Sequence, residues 1–161
     1  MDIRLATLKD IDAICPLLTE FFTYNAELQP MYCKADDECG KYPKSVIESD
    51  NADFLIAATG DTVVGLVHIA QMDTPPFESI VPHDYAEILA FMVMASHREQ
   101  GVGSKLMEAA KKWSIARKLD YIELAVMANA KEALQFYKQK GFDDALHTMR
   151  YTLNSGGKDE A

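Results

Sequence analysis

The sequence predicts an α/β fold, a mixed β-sheet flanked by helices, and three observations carry that prediction. Apolar residues recur at strand spacing and at helix spacing in the order β-α-α-β-β-β-α-β-α-β. Two apolar runs joined by Gly60-Asp61 read as a hairpin, which requires antiparallel pairing. A strand, an amphipathic helix and a strand follow over residues 85–94, 101–117 and 121–127, the pattern of a parallel crossover. One sheet must accommodate both.

Each element has a local reason. Ile3, Leu5 and Thr7 alternate as a short strand, and Thr7 with Asp10 resembles a capping box. Ile11, Ile14, Leu17, Leu18, Phe21 and Phe22 then recur as a helix, which Pro16 is expected to kink or divide. A weakly patterned second helix is expected over 35–49. Residues 53–59 and 62–70 form the hairpin, and Pro75, Pro76 and Pro82 make 73–82 a loop. The nearly unbroken apolar run from Ile88 to Met94 suggests a central strand covered on both faces. Val102, Leu106, Ala109, Ala110 and Trp113 line one stripe of the next helix. A strand over 121–127 and a helix over 131–140 follow, the helix ending at Gly141. A last strand is expected over 145–153, before a polar tail at 154–161.

The length of 161 residues suits one domain, drawn here over 1–153. The net charge of −9 argues against a nucleic-acid or anionic-membrane partner, because either would need a basic face. It is compatible with a cationic small-molecule partner and equally with simple solubility. The N-terminus lacks the basic and apolar regions of a secretion signal, and no apolar run approaches the ~20 residues of a membrane helix. Cys15, Cys33 and Cys39 are an odd set, which disfavours a disulfide framework and suits a reducing cytoplasm. Their spacing does not suit a structural zinc, so no metal is expected.

The sharpest local feature is Arg98-Glu99-Gln100-Gly101-Val102-Gly103-Ser104, between an apolar strand and an amphipathic helix. Glycines let the backbone turn tightly, and the free N–H groups of a helix's first turn form an anion site. Leu106 occupies the third glycine position of a dinucleotide fingerprint, and Ser104-Lys105 reverses the order of a nucleotide-hydrolase loop. The pattern Arg/Gln-x-x-Gly-x-Gly/Ala fits in full. Taken alone, the segment reads either as a phosphate cradle or as a plain glycine turn.

A second signature, Asn129-Ala130 through Phe136-Tyr137 to Gly141-Phe142, follows in the next strand–helix unit. Together the two segments resemble the GNAT (Gcn5-related) N-acetyltransferase family, with Ala95 in place of a frequent proline. The resemblance covers about residues 1–153 and is strongest over 85–142. It implies a sheet splayed between its fourth and fifth strands, with acetyl-CoA in the splay. Backbone groups at Met92 and Val93 would pair with the pantetheine arm. Arg98, Glu99, Gln100, Gly101, Val102, Gly103 and Ser104 would form the pyrophosphate loop, and Asn129 would hydrogen-bond the cofactor. The family also suggests a homodimer.

Acetyl transfer needs a neutral amine, a polarised thioester carbonyl and a stabilised leaving thiolate. The resemblance places the Tyr137 hydroxyl beside the CoA sulfur as the acid, although the same residue completes an apolar helix stripe. A glutamate of the family's protein-lysine branch resembles Glu87 in strand context, making it the candidate base. Glu123, on the neighbouring strand, is the second candidate, and His83, Asp84 and Tyr85 are placed to order a water. Phe21, Phe22, Tyr24, Tyr32 and the 73–84 loop would shape the acceptor pocket, where aromatic faces and carboxylates suit a cationic amine. The expected activity is acetyl transfer to a primary amine of a small molecule or peptide. A non-catalytic acyl-CoA-binding module and a nucleotide hydrolase are the alternatives.

Overall fold

The fold is a computed structural model that describes residues 1–36, 39 and 41–153. The tail at 154–161 lies outside the described residues. Five strands form one sheet in sequence order: β1 (Asp2–Leu5), β2 (Ala52–Thr59), β3 (Thr62–Asp73), β4 (Asp84–Val93) and β5 (Ile122–Leu124). The first three pairings are antiparallel and the β4–β5 pairing is parallel, so the sheet is mixed as expected.

Helix α1 (Ile11–Leu28) packs one face of the sheet, and α3 (Val102–Ala116) packs the other. Ile14, Leu17 and Leu18 of α1 meet Phe54, Ile56, Leu66, Ala90 and Met92. Leu106, Met107 and Ala110 of α3 meet Val64, Val67, Ile69, Ala86 and Ile88. Alternation along the strands feeds both layers, which explains the unbroken apolar runs in β2, β3 and β4. Short α2 (Lys41–Ile47) adds Val46 to the first layer. Helix α4 (Lys131–Gln139) leans Phe136 and Tyr137 on the second.

The hairpin turn is placed as expected, with Gly60 at φ +59°. The Thr7–Asp10 box is present: Thr7 N–H and its hydroxyl both donate to Asp10 Oδ2, at 2.7 and 2.9 Å. Arg4 Nη2 donates to the other carboxylate oxygen at 2.7 Å, tying β1 to the start of α1.

Several expectations change. Pro16 lies inside an unbroken α1, on its exposed side, where the missing amide leaves the core-facing bonds intact. Among the described residues the second helix spans Lys41–Ile47, and β5 is shorter than 121–127. The strand expected over 145–153 does not form: those residues lie in no strand and have no backbone partner among the described residues. The cysteine reading is also overturned, since Cys15 and Cys39 are disulfide-bonded and Cys33 is free. An odd count permits one bridge, and the tertiary fold brings together two cysteines that are 24 positions apart. Among the described residues no helix is long and apolar enough to cross a membrane.

Candidate active site

The site begins with a break in β4. His68 of β3 faces Ala90, but the next residue, Ile69, faces Ile88, so Leu89 is an extra residue on β4. This bulge turns the strand just where β5 leaves it. The parallel pairing runs only from Ala86–Ile122 to Ile88–Leu124. Beyond it the β5-facing edge of β4 is open, which is the splay expected between strands 4 and 5.

The two residues expected to pair with the pantetheine arm are not equivalent. The Met92 carbonyl oxygen lies 3.1 Å from where a Cβ on Gly65 would be, so it points at β3. The Val93 carbonyl lies on the other side and accepts from Arg98 Nε at 3.0 Å. Arg98 Nη2 also donates to Glu20 of α1 at 3.2 Å. The guanidinium therefore ties the loop to β4 and α1.

The loop itself is bent by left-handed backbone at Glu99 (φ 59°) and Gly101 (φ 80°). Gln100 Nε2 donates to the Ser96 carbonyl at 2.9 Å, closing the turn. The first helical bond runs from Lys105 N–H to the Gly101 carbonyl, which leaves the amides of Val102, Gly103 and Ser104 without helical acceptors. The two glycines have different reasons. A Cβ on Gly101 would meet nothing within 4 Å, so that position faces open space. A Cβ on Gly103 would stand 3.3 Å from Phe136 Cε2, so Gly103 makes room for α4.

Sequence reasoning missed a cation here. Lys140 Nζ donates to Ser104 Oγ at 2.7 Å, placing an ammonium on the first turn of α3. Nothing in spacing signals it, because the pair is 36 residues apart and meets only when α4 packs on α3. Free amides, a helix N-terminus and Lys140 together suit a pyrophosphate-bearing ligand.

Tyr137 packs edge-on against Phe91 of β4, with centroids 6.1 Å apart, and against Phe136 and Phe142. Burial pushes its hydroxyl up to about 12, so it stays protonated. That hydroxyl has no hydrogen bond among the described residues. Asn129 is differently engaged. Its Nδ2 donates to the Leu28 carbonyl at 2.7 Å and its Oδ1 accepts from Gln29 Nε2 at 3.4 Å, so it closes the end of α1.

Both candidate bases come together. Glu87 and Glu123 are register partners on β4 and β5, on the face opposite Ala86 and Ile88. Tyr85 lies beside both carboxylates, which help burial raise its phenol. Tyr85 stacks on Tyr121 at 4.9 Å, and His83 Nδ1 contacts Asp120 Oδ2 at 2.7 Å. A cavity of about 630 Å³ adjoins this group, lined by the β3–β4 loop with Asp73, Glu78, His83, Asp84 and Asp120. Phe21 and Phe22 pack into the α1 layer, while Tyr24 and Tyr32 are exposed. The acid and base candidates therefore approach the splay from opposite faces: Tyr137 from the α3–α4 side, Glu87 and Glu123 from the α1 side.

A mixed sheet that splays between β4 and β5, with free first-turn amides of α3 beside the open strand edge, has the architecture of an acetyltransferase fold. The chain belongs to the GNAT acetyltransferase family, whose model matches residues 11–142. It is similar to the uncharacterized N-acetyltransferase YhfO of Bacillus subtilis (strain 168), 24% identical over 98% of this chain and 100% of that protein. The fold is similar to the tetramutant of the BH1408 protein from Bacillus halodurans, with TM-score 0.88, 20% identity, and 95% and 100% of the two chains covered. It is also similar to the aminoglycoside N-acetyltransferase AAC(6')-Iy in complex with CoA, with TM-score 0.73, 15% identity, and 95% and 94% covered.

Proposed function

We propose that this chain transfers the acetyl group of acetyl-CoA directly to a primary amine of a small molecule or peptide. The observation that carries the reading is the open β4 edge beyond Leu89, flanked by the α3 amides and by the unbonded Tyr137 hydroxyl. The Gln100–Ser104 turn and Lys140 would hold the pyrophosphate. The Val93 edge would align the pantetheine arm, with Met92 and Arg98 shaping that edge rather than reaching the ligand. Acetyl-CoA supplies the acyl group; the residues of this chain orient it and manage protons.

The ammonium gives one proton to Glu87 or Glu123, directly or through a water; the neutral amine attacks the thioester carbonyl, and the extra proton then left on its nitrogen passes to the departing thiolate. The N–C bond forms and the C–S bond breaks. A phenol at about 12 is a weaker acid than a thiol at its ordinary ~8.5, so Tyr137 acts as a hydrogen-bond donor to the departing sulfur. The carboxylates around the β3–β4 loop favour a cationic acceptor. The cytoplasm is the proposed compartment, resting on acetyl-CoA as donor alone, since the Cys15–Cys39 bridge removes the support the cysteines would have given.

The test is thiol release from acetyl-CoA across a panel of amines, with CoA affinity measured in parallel. Amine-stimulated release is expected. Tight CoA binding with no release for any amine would instead make this an acyl-CoA-binding module. Gly103→Asp should abolish CoA binding, because its side chain meets Phe136 and places a negative charge at the anion site.

A further inference from the structure

We propose that the Cys15–Cys39 bridge is a reversible redox clamp on α2, and that opening it loosens the acceptor side of the site. For its catalytic effect the inference rests on the acetyl-transfer reading; the clamp itself does not. In the cytoplasm proposed above, thiols are kept reduced, and a bridge formed there is as a rule transient and redox-sensing rather than a permanent staple. Neither cysteine is fully buried, which leaves the bond a route to a small thiol. The exchange balances: two glutathione thiols give two electrons and two protons and leave as one disulfide, while Cys15 and Cys39 become thiols. Cys15 Sγ already lies 3.2 Å from the Cys39 carbonyl oxygen, so the new thiol has an acceptor in place.

The bond sits where one covalent link acts on a short element. Cys15 lies in the second turn of α1, and Cys39 lies just before α2. A helix as short as α2 is not stable by itself and takes its place from tertiary contacts. Besides the bridge these are Pro43 and Val46, both buried, and Tyr42, whose ring centroid lies 6.4 Å from that of Phe22 and 6.0 Å from that of Phe54. Opening the bond leaves these apolar contacts, so the reduced chain stays folded with α2 held less tightly.

The connection to the site runs through Tyr42. Its hydroxyl is hydrogen-bonded with His68 of β3. His68 is two residues from Ala70 on the same face of the sheet, and Ala70 is the register partner of Glu87. Loosening α2 therefore reaches the row of side chains that carries a candidate base. The far end of the α1–α2 connection is held separately, by the bonds of Leu28 and Gln29 with Asn129. Helix α3, whose first turn forms the anion site, packs on the opposite face of the sheet, so the clamp acts on the acceptor and not on CoA. Cys33 takes no part in the bond; it is free, and its N–H donates to the Gln29 carbonyl at 2.9 Å.

The experiment equilibrates the full chain in glutathione buffers from fully oxidised to fully reduced and counts its thiols, one when bridged and three when open. Opening should raise the KM of the amine about fivefold or more, with CoA affinity unchanged. It should also speed hydrogen exchange of the α2 amides about tenfold or more. Both changes should revert on reoxidation. Cys15→Ser should behave as the reduced chain in every buffer, and Cys33→Ser should respond as the unaltered chain does. A bond that reduced glutathione leaves closed, a response kept by Cys15→Ser, or unfolding of the chain on reduction overturns the proposal. A melting temperature that falls with KM unmoved marks a structural staple and overturns it as well. Where Cys15→Ser does not fold, the reduced unaltered chain supplies the same comparison. Absence of amine acetylation in both states would overturn the acetyl-transfer reading alone. Exchange at α2 then decides the clamp, a faster rate in the reduced chain supporting it and an equal rate overturning it.

Discussion

Strands β3 and β4 stay paired from Gly65–Val93 to Asp73–Asp84, whereas β4 and β5 pair only from Ala86–Ile122 to Ile88–Leu124. The first region is closed on both faces by α1 and α3. The second opens immediately beyond the Leu89 bulge. The ladder is long and interrupted only at that bulge in one, and stops after three pairs in the other. The contrast divides the molecule: the antiparallel ladder holds β4, and its far edge is left open where the proposed acetyl-CoA site lies. Substitutions in the ladder should register in stability, and those along the splay in turnover.

The sharpest way to break that division is Tyr137→Phe. Loss of the donor proposed to face the leaving sulfur should lower kcat by about 10²–10³-fold, measured by thiol release. CoA affinity and melting temperature should hardly move, because the hydroxyl bonds nothing among the described residues. An unchanged kcat would remove Tyr137 from the chemistry.

Leu66→Ala tests the other side. Leu66 is fully buried between α1 and the sheet, so truncation should cost about 2–5 kcal/mol in urea unfolding. Specific activity per folded molecule should persist. A comparable fall in kcat with intact stability would show that the ladder and the site are not separable.

His68 sharpens the comparison through pH. Its ring lies inside the α1 layer, hydrogen-bonded with the Tyr42 hydroxyl and tilted against the Phe54 ring. Burial pushes it from 6.5 down to about 4, so between those values the unfolded chain binds a proton that the folded chain excludes. Its contribution is therefore full above about pH 6.5 and falls as pH drops towards about 4, by up to ~3 kcal/mol. Urea melts from pH 7 to 4.5 should show this loss, and His68→Gln should flatten it.

The smallest effect belongs to Asp10→Asn. The carboxylate accepts from Arg4 and from Thr7, which hold it well below the usual carboxylate range. The pair is partly exposed, so the loss should be about 1 kcal/mol, with no change in kcat. A kcat effect would mean that the β1–α1 junction reaches the site.

How much of this was legible followed from the range of each interaction. The Gly60-Asp61 turn, the Thr7–Asp10 box and the α3 stripe could be read because their causes lie within a few residues. The Gly101 turn could be read for the same reason. The Leu89 bulge could not: from Ile88 to Met94 every residue is apolar, so a shift in strand phase leaves no mark on the pattern. Glu87 and Glu123 were both nominated, but their adjacency depends on parallel register. Arg98 and Asn129 were nominated as ligand contacts from their motifs. Their partners, Glu20 and Leu28, come from a helix about 80 to 100 residues away in the chain.

What the sequence alone determined was the set of elements, the mixed sheet and the glycine turn before α3, all products of local periodicity and backbone freedom. The tertiary structure decided which of those elements met. It joined Cys15 to Cys39 and set Lys140 on Ser104. It also left residues 145–153 outside the sheet. Strand pairing is a contest between distant segments for the same hydrogen bonds, so a strand-forming sequence states a capacity and only the assembled sheet selects the partner.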